Sequence, residues 1–84
     1  MIWVINAKVL ENYKVFVEFN DGLSGIIDFR NILENDTRLN IRELLDLDKF
    51  KSCHVDYDTL CWSNGVDFAP EYLYEQVNKN KQVA

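Results

Sequence analysis

Glycine is scarce, three residues in 84. Loops that cradle phosphates or dinucleotides need several glycines at fixed spacing, and neither a Walker loop nor a dinucleotide fingerprint is present. No nucleophile-elbow motif occurs either. The opening "MIWVINAKVLENYK" places no basic segment ahead of its apolar residues, so it does not read as a signal peptide. No run approaches the ~20 apolar residues of a membrane span. The expected compartment is therefore the cytoplasm, where the two cysteines, Cys53 and Cys61, are free thiols. Basic residues are outnumbered, nine against fourteen acids, for a net charge of −5. That balance speaks against nucleic acid, whose binding draws on Lys and Arg at phosphates, and against anionic lipid. It suits a basic protein partner, or simply solubility.

What is present is enough to build one core. Hydrophobic residues make up 48% and aromatics 13% of the chain, the composition of a packed domain rather than a disordered one. A chain of this size buries only about 60–65% of its unfolded surface, so its stability is modest and a deep pocket is not expected. A single domain over residues 1–78 is read, with residues 79–84 as a polar tail. No internal repeat, linker or low-complexity stretch interrupts it.

Residues 2–10, "IWVINAKVL", are rich in β-branched and aromatic types and predict a first strand. "YKVFVEF" alternates, with Tyr13, Val15, Val17 and Phe19 on one face. Asp21-Gly22 predicts a type I′ hairpin into "LSGIIDF", where Leu23, Gly25, Ile27 and Phe29 share a side. A glycine in mid-strand implies a bulge or the close approach of another element. Asp28 can cap a short helix over "FRNIL". "IRELLDLDKF" is helical through Ile41, Leu44 and Leu45, with Leu47 to Phe50 as a separate turn. "KSCHVDY" and "LCWS" form a second hairpin across Asp58-Thr59. A last helix, "PEYLYEQV", begins at Pro70, where a missing N–H does no harm. The fold class is α+β, in the order βββααββα, with an antiparallel sheet covered on one face by helices.

The chemical inventory is thin. Cys53 and His54 are adjacent, and neighbours on a strand point to opposite faces, which argues against a catalytic dyad. Across an Asp58-Thr59 loop, Asp56 faces Cys61 and Val55 faces Trp62, so His54, Asp56 and Cys61 share a face with Cys53 on the other. The three could hold a metal, but a structural zinc site needs four convergent ligands and a solvated face carrying His and Asp is far commoner. No metal, cofactor or catalytic residue is expected, and the same register disfavours a Cys53–Cys61 disulfide. Asp46, Asp48, Asp56 and Asp58 form an acidic patch for a basic partner, or merely keep their loops solvated. Phe16 and Ile26 lie opposite the main faces of their strands. With Trp3 they make a second apolar surface, to be covered by a helix or, failing that, by a partner or a second copy of the chain.

"CWSNGVDFAPE", residues 61–71, carries the candidate binding residues Trp62, Asn64, Asp67 and Glu71. Each also has a mechanical reason to be there. Trp62 anchors the second hairpin, Asn64-Gly65 turn the strand, and Asp67 and Glu71 favour the positive end of the following helix.

Together, "VFVEFNDG", "GIIDFRNIL" and "LDKFKSCHVDYDTLCWSNGVDFAPEYLYE" resemble the domain-of-unknown-function 2442 family of small bacterial proteins. The resemblance rests on Phe19, Asp21, Gly22 and Asp28, and on Trp62, Asn64, Gly65, Asp67, Pro70 and Glu71, across roughly residues 5–75. It implies a small α+β domain with an antiparallel sheet and carries over no catalytic residue. It also implies a companion of another small protein, in toxin–antitoxin-like pairs. The helix-turn-helix extension of some members has no counterpart after Val77. The expected function is a non-catalytic protein-interaction module, antitoxin-like, for a basic partner. The alternative is a small ligand-binding or enzymatic protein using residues 62–71.

Overall fold

A computed structural model describes residues 1–82. β1 (Val4–Val9), β2 (Lys14–Phe19) and β3 (Ser24–Asp28) form an antiparallel meander in spatial order β1-β2-β3. Four short helices follow or close the chain: α1 (Arg30–Glu34), α2 (Leu39–Arg42), α3 (Leu47–Phe50) and α4 (Pro70–Gln82), with a 3₁₀ turn over Glu43–Leu45. Between α3 and α4 lies a second antiparallel sheet, in order β4 (His54–Asp56), β5 (Thr59–Cys61) and β6 (Asp67–Phe68). The architecture is α+β in the expected order, built on two small sheets rather than one.

The alternation of β2 decides which face is core. Val15, Val17 and Phe19 are fully buried, as are Ile27 from the next strand and Phe29 just past it. Asp28 Oδ1 accepts from the Arg30 N–H at 3.0 Å, satisfying one of the free donors at the start of α1. Phe29 then enters the hub of the core. Its ring centroid lies 5.5 Å from Trp62, 5.5 Å from Phe68 and 6.0 Å from Phe50. Edge-to-face and tilted rings at such spacings add roughly 0.5–1.5 kcal/mol per pair beyond burial alone. The two sheets share this core, and they also meet at an edge, where the Val4 N–H donates to the Asp58 carbonyl at 2.9 Å.

α4 covers the core face of the meander through Leu73 and Val77, both buried. Gly25 explains how it comes so close: a Cβ on that glycine would sit 2.7 Å from Val77 Cγ1. The mid-strand glycine therefore marks the approach of a helix. The same helix runs to Gln82, so residues 79–82 of the expected polar tail are helical. Val83 and Ala84 lie outside the described residues.

Three turns differ from expectation. In the β2–β3 loop only Gly22 has positive φ (+93°), with Gly22 N–H on the Phe19 carbonyl (3.0 Å) and Phe19 N–H on the Leu23 carbonyl (2.8 Å). That is a type I turn closed by a glycine bulge, not type I′. The segment after β5 repeats the device. Gly65 is at +89° and its N–H meets the Trp62 carbonyl (3.0 Å), while the Trp62 N–H meets the Val66 carbonyl (2.9 Å). Asn64-Gly65 thus does not end a hairpin but folds a third strand, β6, onto β5. Finally, the β4–β5 turn is centred on Tyr57-Asp58, at φ +49° and +62°, one residue earlier than Asp58-Thr59. Asp56 pairs with Thr59, Val55 with Leu60 and His54 with Cys61. Val55 therefore does not face Trp62, and it is left partly exposed. The shift preserves parity, so Cys53 still falls on the face opposite His54, Asp56 and Cys61.

Candidate functional site

The 61–71 segment is tied into the fold chiefly through Trp62 and Asn64, while Asp67, expected to cap α4, lies in β6 instead. Trp62 is buried, and its Nε1–H donates to the Phe50 carbonyl at 3.0 Å. Asn64 clamps the turn to α2. Its Nδ2 donates to the Asn40 carbonyl (2.9 Å) and to Glu43 Oε2 (3.4 Å), while its Oδ1 accepts from the Val66 N–H (3.2 Å). Asp67 lies in β6 opposite Cys61, and the first bond of α4 runs from Leu73 N–H to the Ala69 carbonyl (3.2 Å). Glu71 occupies the exposed first turn of α4, where an acid favours the helix dipole. None of Trp62, Asn64, Asp67 and Glu71 lines either of the two grooves described below.

The thiols are poor nucleophiles. Burial, and then proximity to Cys61, pushes the Cys53 thiol up to about 12. Cys61 is also raised, by burial and by the carboxylates of Asp67 and Asp56. Among the described residues, no three of His, Cys, Asp and Glu converge as metal ligands, and no buried side-chain N or O lacks a hydrogen-bond partner.

Two shallow grooves and one sheet face remain. The first groove, about 470 Å³, lies between α1 and the start of α4 and is lined by Asn31, Ile32, Asn35, Asp36, Arg38, Phe68 and Tyr72. Phe68 and Tyr72 stack with centroids 5.8 Å apart and planes at 18°. Phe68 also joins the core cluster through Trp62 at 5.6 Å, so the aromatic wall of the groove is an outgrowth of the core. Opposite it, the Arg38 guanidinium grips Asp36 in a two-point pair, Nε to Oδ1 at 3.1 Å and Nη2 to Oδ2 at 2.9 Å. The Arg38 backbone N–H adds a third bond to the same carboxylate (2.9 Å). These donors hold Asp36 down at about 2. Arg42 pins the loop from below, its Nη1 donating to the Glu34 carbonyl at 2.8 Å. Burial raises the Tyr72 hydroxyl, helped by the charges of Glu75 and Asp36.

A second groove, about 640 Å³, runs between the β1–β2 turn and α3, lined by Val9, Leu10, Glu11, Asn12, Leu47, Phe50 and Lys51. It holds no comparable pairing of charge and ring. The outer face of the meander is the third surface. Phe16 pairs with Lys8 on one side and Ile26 on the other. Ile26 is 48% exposed, Ile5 51% and Trp3 38%. α4 packs on the opposite face, against Gly25, so this one is not its docking surface.

The groove is hard to read from the sequence because its lining comes from two segments, residues 31–38 and 68–72, that are thirty positions apart at their nearest. Only Phe68, inside the quoted stretch, gave any signal.

No helix among the described residues is long and apolar enough to cross a membrane. No curated protein and no solved structure gave a significant match. The family model described as "Protein of unknown function (DUF2442)" matches residues 4–79 of the 84, nearly the whole described fold, and the chain belongs to that family.

Proposed function

We propose that this chain is a non-catalytic protein-interaction module, a cytoplasmic and antitoxin-like companion that docks a basic segment of a protein partner in the groove between α1 and α4. The observation that carries this reading is the stacked Phe68–Tyr72 pair facing a carboxylate that already holds a guanidinium. A cation over an aromatic face gains about 0.5–2 kcal/mol, and a two-point arginine–carboxylate pair fixes geometry as well as energy. Arg38 is largely solvent-exposed, so it can yield its place on Asp36 to an incoming arginine without leaving water. Asn31 on α1 and Asn35 just past its C-terminal end, both lining the groove, offer amides to an extended peptide backbone. The net charge of −5 steers a basic partner toward the molecule.

The small-ligand or enzymatic alternative finds less support. Neither groove is lined by Trp62, Asn64, Asp67 or Glu71, and both thiols are shifted upward, away from the reactive thiolate.

Fluorescence anisotropy with a labelled arginine-rich peptide, and a glutamate-rich one as control, tests the proposal. Salt-sensitive binding of the basic peptide alone is expected. Tyr72→Ala should weaken it by about fivefold to thirtyfold, the equivalent of losing a cation–π contact of roughly 1–2 kcal/mol. Equal affinity for both peptides, or indifference to Tyr72→Ala, would overturn it.

A further inference from the structure

The outer face of the meander has a charge pattern that fits itself. Along the central strand the outward residues are Lys14, Phe16 and Glu18, a cation and an anion placed symmetrically about an aromatic. Their cross-strand neighbours are Asp28, Ile26 and Ser24 on β3, and on β1 Lys8 beside Phe16 and Asn6 beside Glu18. We infer that two copies of this chain pair face to face across this surface. The two-fold axis lies in the interface, perpendicular to the strands and level with Phe16.

The geometry follows from the operator. An isologous contact places each residue on its own symmetry mate or on a reciprocal partner. With the axis across the strands, Phe16 meets Phe16 and Ile26 meets Ile26. Lys14 meets Glu18 of the second copy, twice over, and Asp28 meets the Ser24 hydroxyl. With the axis along the strands, Lys14 would face Lys14 and Glu18 would face Glu18. The charges therefore select the first arrangement. Lys8, level with the axis on the marginal strand β1, can extend its ammonium to water over its own alkyl stem. Trp3 enlarges the apolar area at the open end of β1. It sits opposite Asn20, whose N–H bonds the Trp3 carbonyl at 3.0 Å and whose Oδ1 accepts from the Trp3 N–H at 2.9 Å. Since Phe19 points into the core, its neighbour Asn20 and the facing Trp3 lie on the outer side.

The size of the face sets the strength. Three strands about 4.8 Å apart, with five residues at ~3.4 Å each, present a patch of roughly 14 by 17 Å per copy. That is about 240 Å² per copy and about 480 Å² in total before Trp3 is added, well below the roughly 1,200–2,000 Å² of stable interfaces, so the contact is a weak and reversible one. The dimer is thus one that forms at micromolar or higher concentration and dissociates on dilution. It uses a surface separate from the α1–α4 groove, so it stands or falls independently of peptide binding.

Sedimentation equilibrium from low micromolar to sub-millimolar concentration is the test, on the full chain without peptide. The wild type should shift reversibly from monomer to dimer. Lys14→Glu and Glu18→Lys, each alone, replace two attractions by two repulsions and should weaken the dimer about tenfold or more, at roughly 0.2–1 kcal/mol for each exposed pair gained or lost. The double charge swap, Lys14→Glu with Glu18→Lys, restores both pairs and should return to within about threefold of wild type, as coupled sites do. Ile26→Thr keeps a β-branched residue and should leave a folded monomer, checked by circular dichroism and thermal melting. A wild-type chain that stays monomeric throughout would overturn the inference. So would a dimer untouched by Ile26→Thr, or a double swap no better than the singles.

Discussion

Replacing Gly25 by alanine tests how α4 seats on the meander. The added Cβ would lie 2.7 Å from Val77 Cγ1, about 1 Å inside the normal 3.5–4.0 Å separation of carbon atoms. Val77 has nowhere to go. It is 1% exposed, and a β-branched side chain on a helix is confined to essentially one rotamer. Overpacking of this kind costs about 1–3 kcal/mol. Stiffening the unfolded chain by the Gly→Ala change returns only about 0.4–1 kcal/mol. The net loss should be about 1–2 kcal/mol, and at about 4–8 °C per kcal/mol for a domain of this size the melting temperature should fall visibly. Val77→Ala alone removes two methyl groups, about 1.6 kcal/mol of transfer free energy plus the cavity left behind. In the double variant the alanine methyl at 25 occupies space vacated at 77. Urea denaturation of all four proteins should therefore show a coupling of about 1 kcal/mol or more, with the double variant more stable than the sum of singles predicts. A Gly25→Ala protein as stable as wild type, or strictly additive losses, would refute this packing.

Three further outcomes follow from single observations. Tyr57 holds φ +49° at the tip of the β4–β5 hairpin and is 87% exposed, so Tyr57→Asn should relieve strain without losing packing. It should raise stability by about 0.5–1 kcal/mol in a thermal melt, since asparagine is favoured in type I′ turns. With its thiol pushed up to about 12, Cys53 should resist iodoacetamide at pH 8 in the native protein and react readily in guanidinium, as read by mass spectrometry. Asp36, held at about 2 by Arg38, should titrate there by carbon NMR and move toward its ordinary 3.8 in Arg38→Ala. Because the folded carboxyl is depressed, its contribution to stability is present above pH 3.8 and is lost as pH falls through about 2.

The strands and their inward faces were legible because a period of two leaves little choice once one face is apolar. Val15, Val17, Phe19 and Ile27 went where alternation put them. Gly25 was legible only as a bulge or a close approach, and the structure shows the second, with α4 as the element that approaches. The turns were less so. "NDG" and "SNG" both suggest positive φ, but a type I turn with a glycine bulge and a type I′ turn share that signal, and only the closing hydrogen bonds tell them apart. β6 was invisible because two residues, Asp67 and Phe68, carry no period. The length of α4 was misread since "NKNK" has no apolar stripe, whereas a helix already anchored by Leu73 and Val77 continues on propensity alone. In the 61–71 stretch, the burial of Trp62 and the place of Glu71 in the first turn of α4 were readable, but Asn64 acts as a side-chain clamp to Asn40 and not as a positive-φ residue, and Asp67 lies in β6 rather than capping the helix. The opposite wall of the groove, Asn31 to Arg38, belongs to a distant segment that only tertiary packing brings near.

The claim that Trp62 holds the fold while the α1–α4 groove, walled by Phe68 and Tyr72, holds the partner is tested most directly by a paired measurement. Melting temperature and affinity for the arginine-rich peptide should be compared for Trp62→Phe and Tyr72→Ala. Trp62→Phe removes the donor to the Phe50 carbonyl and part of the central ring. It should cost about 1–3 kcal/mol of stability while leaving peptide affinity within about twofold at a temperature where the protein is folded. Tyr72→Ala should do the reverse, weakening the peptide with little change in melting temperature. A Trp62→Phe protein that melts like wild type but no longer binds would contradict the division of labour.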